Sequence, residues 1–139
     1  MTDENVRANI RAEVARGASA LLSAQILLDA DQWADAVSRA YYAAFHHARA
    51  LVLMTGGQPR SHAGVEVLLQ RDVVRAGKLD PEIARVYGKL LHFRHAADYI
   101  ADYVFTRTSA AEDVAAARRF AEAAVDRLVA DGWVEPRGA

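Results

Sequence analysis

The run from Gln32 to Met54 is apolar around most of a helical circumference. Trp33, Val37, Ala40, Tyr41, Ala44, Ala48 and Leu51 recur at helical spacing and form one stripe. Alanines fill much of the remainder and allow neighbouring elements to come close. A helix that is apolar on most sides is stable only when other elements surround it. The rest of this 139-residue chain must therefore supply walls for a central helix.

The flanking sequence offers those walls as further helices. Val6, Ile10, Val14, Ala18, Leu21, Leu22 and Ile26 give helical periodicity from Asn5 to Leu28, weakened slightly by Gly17. Asp31 is the expected N-cap of the central helix, and Gly56-Gly57 ends it. Ser61 is placed to cap a short helix from His62 to Arg75. Asp80-Pro81 opens a long one to Val104, with proline at the first helical position. Ser109 and Glu112 have capping-box spacing and predict a last helix ending near Asp131-Gly132. No segment alternates with period two for long enough to predict a strand. The expected fold is all-α, an antiparallel up-and-down bundle of four long helices plus one short helix. Residues 1–132 are expected to form one domain and 133–139 a loose tail.

Composition narrows the function classes. Net charge is −1, so no global field favours nucleic acid or a membrane surface. There is no cysteine, which excludes disulfides and thiolate metal sites and suits a reducing cytoplasm. No run approaches the roughly 18 apolar residues of a membrane helix, and the acidic start, Met1-Thr2-Asp3-Glu4-Asn5, is unlike a signal peptide. Residues 60–95 carry seven Lys/Arg against four acids, whereas 96–139 carry five against eight. A basic patch on the third and fourth helices could meet RNA backbone.

Against the apolar background of the central helix, Asp35, Arg39, Tyr42, His46 and Arg49 share one face. The ordinary expectation is an Asp35–Arg39 ion pair on a solvated stripe. The sharper one is that Arg39 and His46 meet RNA or another subunit. Ser38-Arg39-Ala40-Tyr41-Tyr42-Ala43-Ala44-Phe45 and Ala48-Arg49-Ala50-Leu51 resemble the signature helix of the HEPN domain family, in particular its small stand-alone prokaryotic branch. The similarity continues through Gly56-Gly57, Ser61-His62-Ala63-Gly64-Val65, Gly77-Lys78 and Arg94 to Ala97-Asp98-Tyr99. The resemblance implies a helical bundle that dimerises, metal-independent endoribonuclease chemistry, a toxin–antitoxin setting and a minimal nucleotidyltransferase partner. In some systems of that kind the partner adenylylates a tyrosine beside the active site.

Metal-free RNA cleavage needs a base near neutrality, for which histidine is suited, and a cation to steady the phosphate. In active HEPN nucleases an Arg-x(4–6)-His motif on a late helix supplies both. Arg94 matches the arginine, but Tyr99, Ile100 and Ala101 stand where the histidine would fall. His95 is about 100° away from Arg94 around a helix, and Asp98 is one turn on, able to pair with Arg94. Tyr99 occupies the place of a modifiable tyrosine, though a tyrosine there would ordinarily be packed in the core with its hydroxyl bonded. Three functions are compatible with these residues. The first is a dimeric toxin–antitoxin component working with a nucleotidyltransferase. The second is an active ribonuclease using Arg94 with His95, His46 or His62 of the opposite subunit as base. The third is a non-catalytic helical adaptor. No cofactor is implied, and His92 and His95 lack partners at metal-ligand spacing.

Overall fold

The computed structural model describes residues 2–136, and all of its regular structure is helical. The helices are α1 (Asp3–Asp29), α2 (Trp33–Met54), α3 (His62–Leu68), α4 (Pro81–Tyr99) and α5 (Arg107–Ala130). A π-helical turn, Leu69–Val74, continues α3. The expected all-α fold is present.

Paired contacts give the direction of each long helix. Arg7 donates to the Gly132 carbonyl, Arg118 to Gln25, and Arg107 pairs with Asp31, so α1 and α5 run antiparallel. Glu13 meets Arg49 while Gly17 faces Ala43 and His47, so α1 and α2 are antiparallel as well. Lys78, just before α4, pairs with Asp131 after α5. The central helix α2 is walled by α1, α4 and α5 and contributes Ala36, Val37, Ala40, Tyr41, Ala44, Ala48 and Leu51 to the core. Phe120 and Leu128 of α5, Ile10 of α1 and Leu90 of α4 close around it.

Local chemistry sets most of the boundaries. The Thr2 hydroxyl accepts from the Asn5 amide at 3.2 Å, Ser61 from Gly64 at 2.9 Å, and Asp80 from Glu82 at 2.8 Å beside Pro81. Gly56 stops α2 with φ of 89°, a left-handed turn that suits glycine.

Several expectations need correction. The fifth helix starts at Arg107, because Thr106 rather than Ser109 is its N-cap. Thr106 and Ser109 cap each other reciprocally at 3.0 and 3.2 Å. Helix α4 stops at Tyr99, where Ile100 turns extended, five residues short of the expected end. Asp31 does not cap α2. It takes a left-handed φ of 59° in the tight connection and faces Arg107. On α1 the buried line is Ile10, Glu13, Gly17, Ala20 and Ala24, whereas Leu22 and Ile26 are exposed. Small residues win that face because α2 lies close against it. Trp133 and Val134 of the expected tail pack on the core, with Arg7 over the Trp133 ring at 5.1 Å. Residues 137–139 of that tail lie outside the described residues.

Candidate functional site

Arg94 of α4 reaches across to α2. One of its terminal nitrogens donates to the Tyr42 hydroxyl at 2.9 Å, and its guanidinium lies 5.2 Å from the Tyr42 ring and 5.4 Å from the Tyr41 ring. Arg39 lays its own guanidinium 4.6 Å from the Tyr42 ring. Two cations thus lie against one aromatic ring. The expected Asp35–Arg39 ion pair does not form among the described residues, because the ring offers Arg39 a nearer partner. Arg94 Nε stands 3.0 Å from Asp98 Oδ2, an ion pair in which the N–H is not aligned for a hydrogen bond.

His62, at the start of α3, joins the same cluster. Its ring stacks on Phe45 with centroids 4.2 Å apart and lies 5.6 Å from Tyr41 and 6.1 Å from Tyr42. His62 Nδ1 bonds the Tyr41 hydroxyl, Tyr41 contacts the Tyr87 hydroxyl at 3.3 Å, and Tyr87 donates to the His62 carbonyl at 2.9 Å. One proton arrangement satisfies all three contacts. Nδ1–H donates to Tyr41, Tyr41 to Tyr87, and Tyr87 to the carbonyl, which leaves Nε2 as the unprotonated nitrogen. Burial lowers the His62 pKa, and the positive charges of Arg94 and His46 lower it further. These effects favour the neutral imidazole over its cation. Burial raises the Tyr41 and Tyr87 pKa values, so both hydroxyls keep their protons.

The other sequence candidates separate from this cluster. His46 is committed to α1, with Nδ1 2.7 Å from Glu13 Oε2. His95 is exposed and its ring meets Tyr99 at 4.9 Å. Tyr99 is 68% exposed, which corrects the expectation of a packed core tyrosine. It sits at the last residue of α4, beyond the reach of the core. Tyr103 lies past the helix end, and its ring centroid is 4.7 Å from that of Phe105. Among the described residues, no three His, Asp or Glu side chains gather to hold a metal ion.

Sequence reading missed two features. Tyr41 and Tyr87 carry the hydrogen bonds that orient His62, although Tyr41 reads as plain core. Glu13 is buried at 2% exposure and gathers Arg49 at 2.5 Å, His46 at 2.7 Å and Arg16 at 3.2 Å. Its position between Ile10 and Gly17 on the buried line of α1 was the available signal. A carboxylate there must find cations.

The sequence model of the HEPN domain matches residues 11–128. A Methanocaldococcus jannaschii protein named "Putative toxin MJ0605" is 34% identical over 102 residues, covering 73% of this chain and 76% of that protein. A UPF0332 protein of Thermotoga maritima is 29% identical over 116 residues, covering 84% and 87%. A UPF0332 protein of Pyrococcus horikoshii is 42% identical over 71 residues, covering 51% and 47%.

Proposed function

The chain belongs to the HEPN domain family, and from that premise we propose that it is the toxin-side component of a toxin–antitoxin module, cleaving RNA without a metal. The observation that carries this reading is that His62 and Arg94 of one chain both lie against the Tyr41 ring, 5.6 Å and 5.4 Å from its centroid. The histidine absent after Arg94 on α4 is replaced from α3. In this mechanism His62 Nε2 removes the proton of a ribose 2′-hydroxyl. The freed oxygen attacks the adjacent phosphorus, and the 5′-oxygen leaves, taking a proton from water. The products are a 2′,3′-cyclic phosphate end and a 5′-hydroxyl end. Arg94 and Arg39 supply fixed positive charge where the phosphorane charge grows. The similarity to a relative named as a toxin supports the biological setting. The test is an RNA cleavage assay with product-end analysis. His62→Ala and Arg94→Ala should each slow cleavage by roughly 100-fold or more. RNA left intact by a stoichiometric amount of wild-type protein overturns the reading.

The exposed hydroxyl of Tyr99 favours a companion role, control by a nucleotidyltransferase partner. Tyr99 stands one residue beyond Asp98, the ion-pair partner of Arg94, and its ring meets His95, so adenylylation there would add a nucleotide at the C-terminal end of the helix that carries Arg94. Tyr99 at the end of α4, and Ile100, Tyr103 and Val104 just past it, are exposed apolar side chains that a homodimer would cover. Co-expression with such a transferase, followed by intact mass measurement, should show a mass gain of one adenylyl group that Tyr99→Phe abolishes. Light scattering should give twice the chain mass. Failure of the two proteins to co-purify, or a monomeric mass, removes this companion role.

A further inference from the structure

Tyr42 lies against both arginines of the α2–α4 cluster, and the cleavage chemistry gives its hydroxyl no task. The hydroxyl oxygen accepts from a terminal nitrogen of Arg94 at 2.9 Å. A tyrosine hydroxyl is a donor as well as an acceptor, and the Tyr42 proton is donated to nothing among the described residues. The ring is held in place from several sides. Arg39, one turn earlier on α2, lies 4.6 Å from its centroid and Arg94 lies 5.2 Å away. The Tyr41 ring meets it edge-on at 5.3 Å and the His62 ring edge-on at 6.1 Å. Tyr42 and His62 are both partly exposed. A fixed phenol oxygen with an undonated proton and two neighbouring cations therefore stands next to the imidazole assigned as base.

We propose that Tyr42 is the general acid of the cleavage reaction and gives its hydroxyl proton to the departing 5′-oxygen of the RNA. The inference rests on the cleavage reading above, and Tyr42 takes the place of the water that otherwise supplies that proton. As His62 Nε2 takes the 2′-hydroxyl proton, the bond from the 2′-oxygen to phosphorus forms and the bond from phosphorus to the 5′-oxygen breaks. The Tyr42 proton passes to that 5′-oxygen, leaving a 5′-hydroxyl, a tyrosinate and an imidazolium. The tyrosinate then regains a proton from water and the imidazolium returns one, so both groups are reset. In-line displacement puts the attacking and leaving oxygens on opposite sides of phosphorus, so base and acid have to be separate groups. His62 from α3 and Tyr42 from α2 are two such groups on neighbouring rings. Tyrosine is among the side chains that serve as general acids. An alkoxide is a far stronger base than a phenolate, so the transfer runs downhill. The negative charge left on the Tyr42 oxygen is met by the Arg94 guanidinium that already donates to it, with Arg39 close by.

The test uses two RNA substrates of one sequence, one ordinary and one with sulfur in place of the 5′-oxygen at the scissile bond. A thiolate leaves without being protonated, because a thiol is far more acidic than an alcohol. Loss of the general acid therefore slows only the oxygen substrate, whereas loss of the base slows both. Tyr42→Phe keeps the ring beside its two cations, and a melting curve checks that the fold is kept. It should slow the oxygen substrate by about 100-fold or more and cleave the sulfur substrate near the wild-type rate. That second result also shows the rest of the site to be assembled. His62→Ala should slow both substrates. Wild-type protein that cleaves neither substrate overturns the cleavage reading and this assignment with it. Where wild-type protein cleaves both, the assignment alone is overturned if Tyr42→Phe slows neither substrate, or slows both alike as loss of the Arg94 anchor would. It is overturned equally if His62→Ala is the variant that spares the sulfur substrate.

Discussion

The Tyr87 hydroxyl donates to the backbone carbonyl of His62 at 2.9 Å. Helix α4 thus holds the backbone of the residue whose ring it also helps to orient through Tyr41. Tyr87→Phe removes that clamp and leaves a part-buried carbonyl short of a donor. The expected cost is about 1–3 kcal/mol in stability by urea denaturation. RNA cleavage should slow by roughly 10–100-fold as the imidazole loses its fixed position. Wild-type cleavage by a Tyr87→Phe protein would show that the tyrosine relay does not position His62.

Glu13 gives a pH signature. Burial raises its proton affinity, but the hydrogen bond from His46 and the charge of Arg49 outweigh burial and leave its pKa below the ordinary 4.5. With a depressed folded pKa, the stabilisation is complete above 4.5 and is lost as pH falls through the folded value. Glu13→Gln should be less stable than wild type at neutral pH by about 1–3 kcal/mol. The gap should close on acidification, as seen in denaturation curves collected across that range. A constant gap at every pH would refute the assignment.

Asp113 on α5 has the opposite sign. Burial pushes its pKa up to about 6, the Lys89 charge opposes this, and Glu112 reinforces it. A raised folded carboxyl pKa costs stability as pH climbs from the unfolded value of 3.8 through about 6. Asp113→Asn should therefore stabilise the protein at pH 8 by about 1 kcal/mol. Below the unfolded value the gain should vanish. Thermal melts at both ends of the range decide it.

Gly17 lies in the interior of α1, where alanine would favour the helix by up to about 1 kcal/mol. Its α-carbon faces the His47 ring so closely that a β-carbon would overlap the ring. His47 is buried and held by its Nδ1 at 2.7 Å from the Ala43 carbonyl. Gly17→Ala should consequently destabilise the protein, by about 1–3 kcal/mol from overpacking, and lower its melting temperature by several degrees. A higher melting temperature would mean that the ring can move aside.

The residues that announce helices act locally, and their message was legible. Ser61 and Asp80 cap, Pro81 opens and Gly56 closes through contacts within a few residues of themselves, whereas the Thr2 cap, which starts α1 at Asp3, was not read. The buried line of α1 was misread because large apolar side chains draw attention, whereas close approach of α2 selects Gly17, Ala20 and Ala24. At the site, Arg94 and its ion pair with Asp98 were legible because i, i+4 spacing on one helix fixes their distance. The meeting of His62 and Arg94 at Tyr41 within one chain was not, because His62 was expected from the opposite subunit. That meeting joins α3 to α4 through α2, and no spacing rule links residues on three elements. The same holds for Glu13 and its cations from α2.

The antiparallel closure of α1 on α5, from Arg7 at Gly132 to Asp31 at Arg107, has a consequence in time. Translation delivers α1 and α2 first, at about 5–20 residues per second, and the last wall of α2 arrives only with Phe120 and Leu128. For a matter of seconds the nascent chain carries a bare apolar cylinder with nothing to cover one of its sides. Any activity that needs the closed bundle would thus begin only after the whole of α5 has left the ribosome.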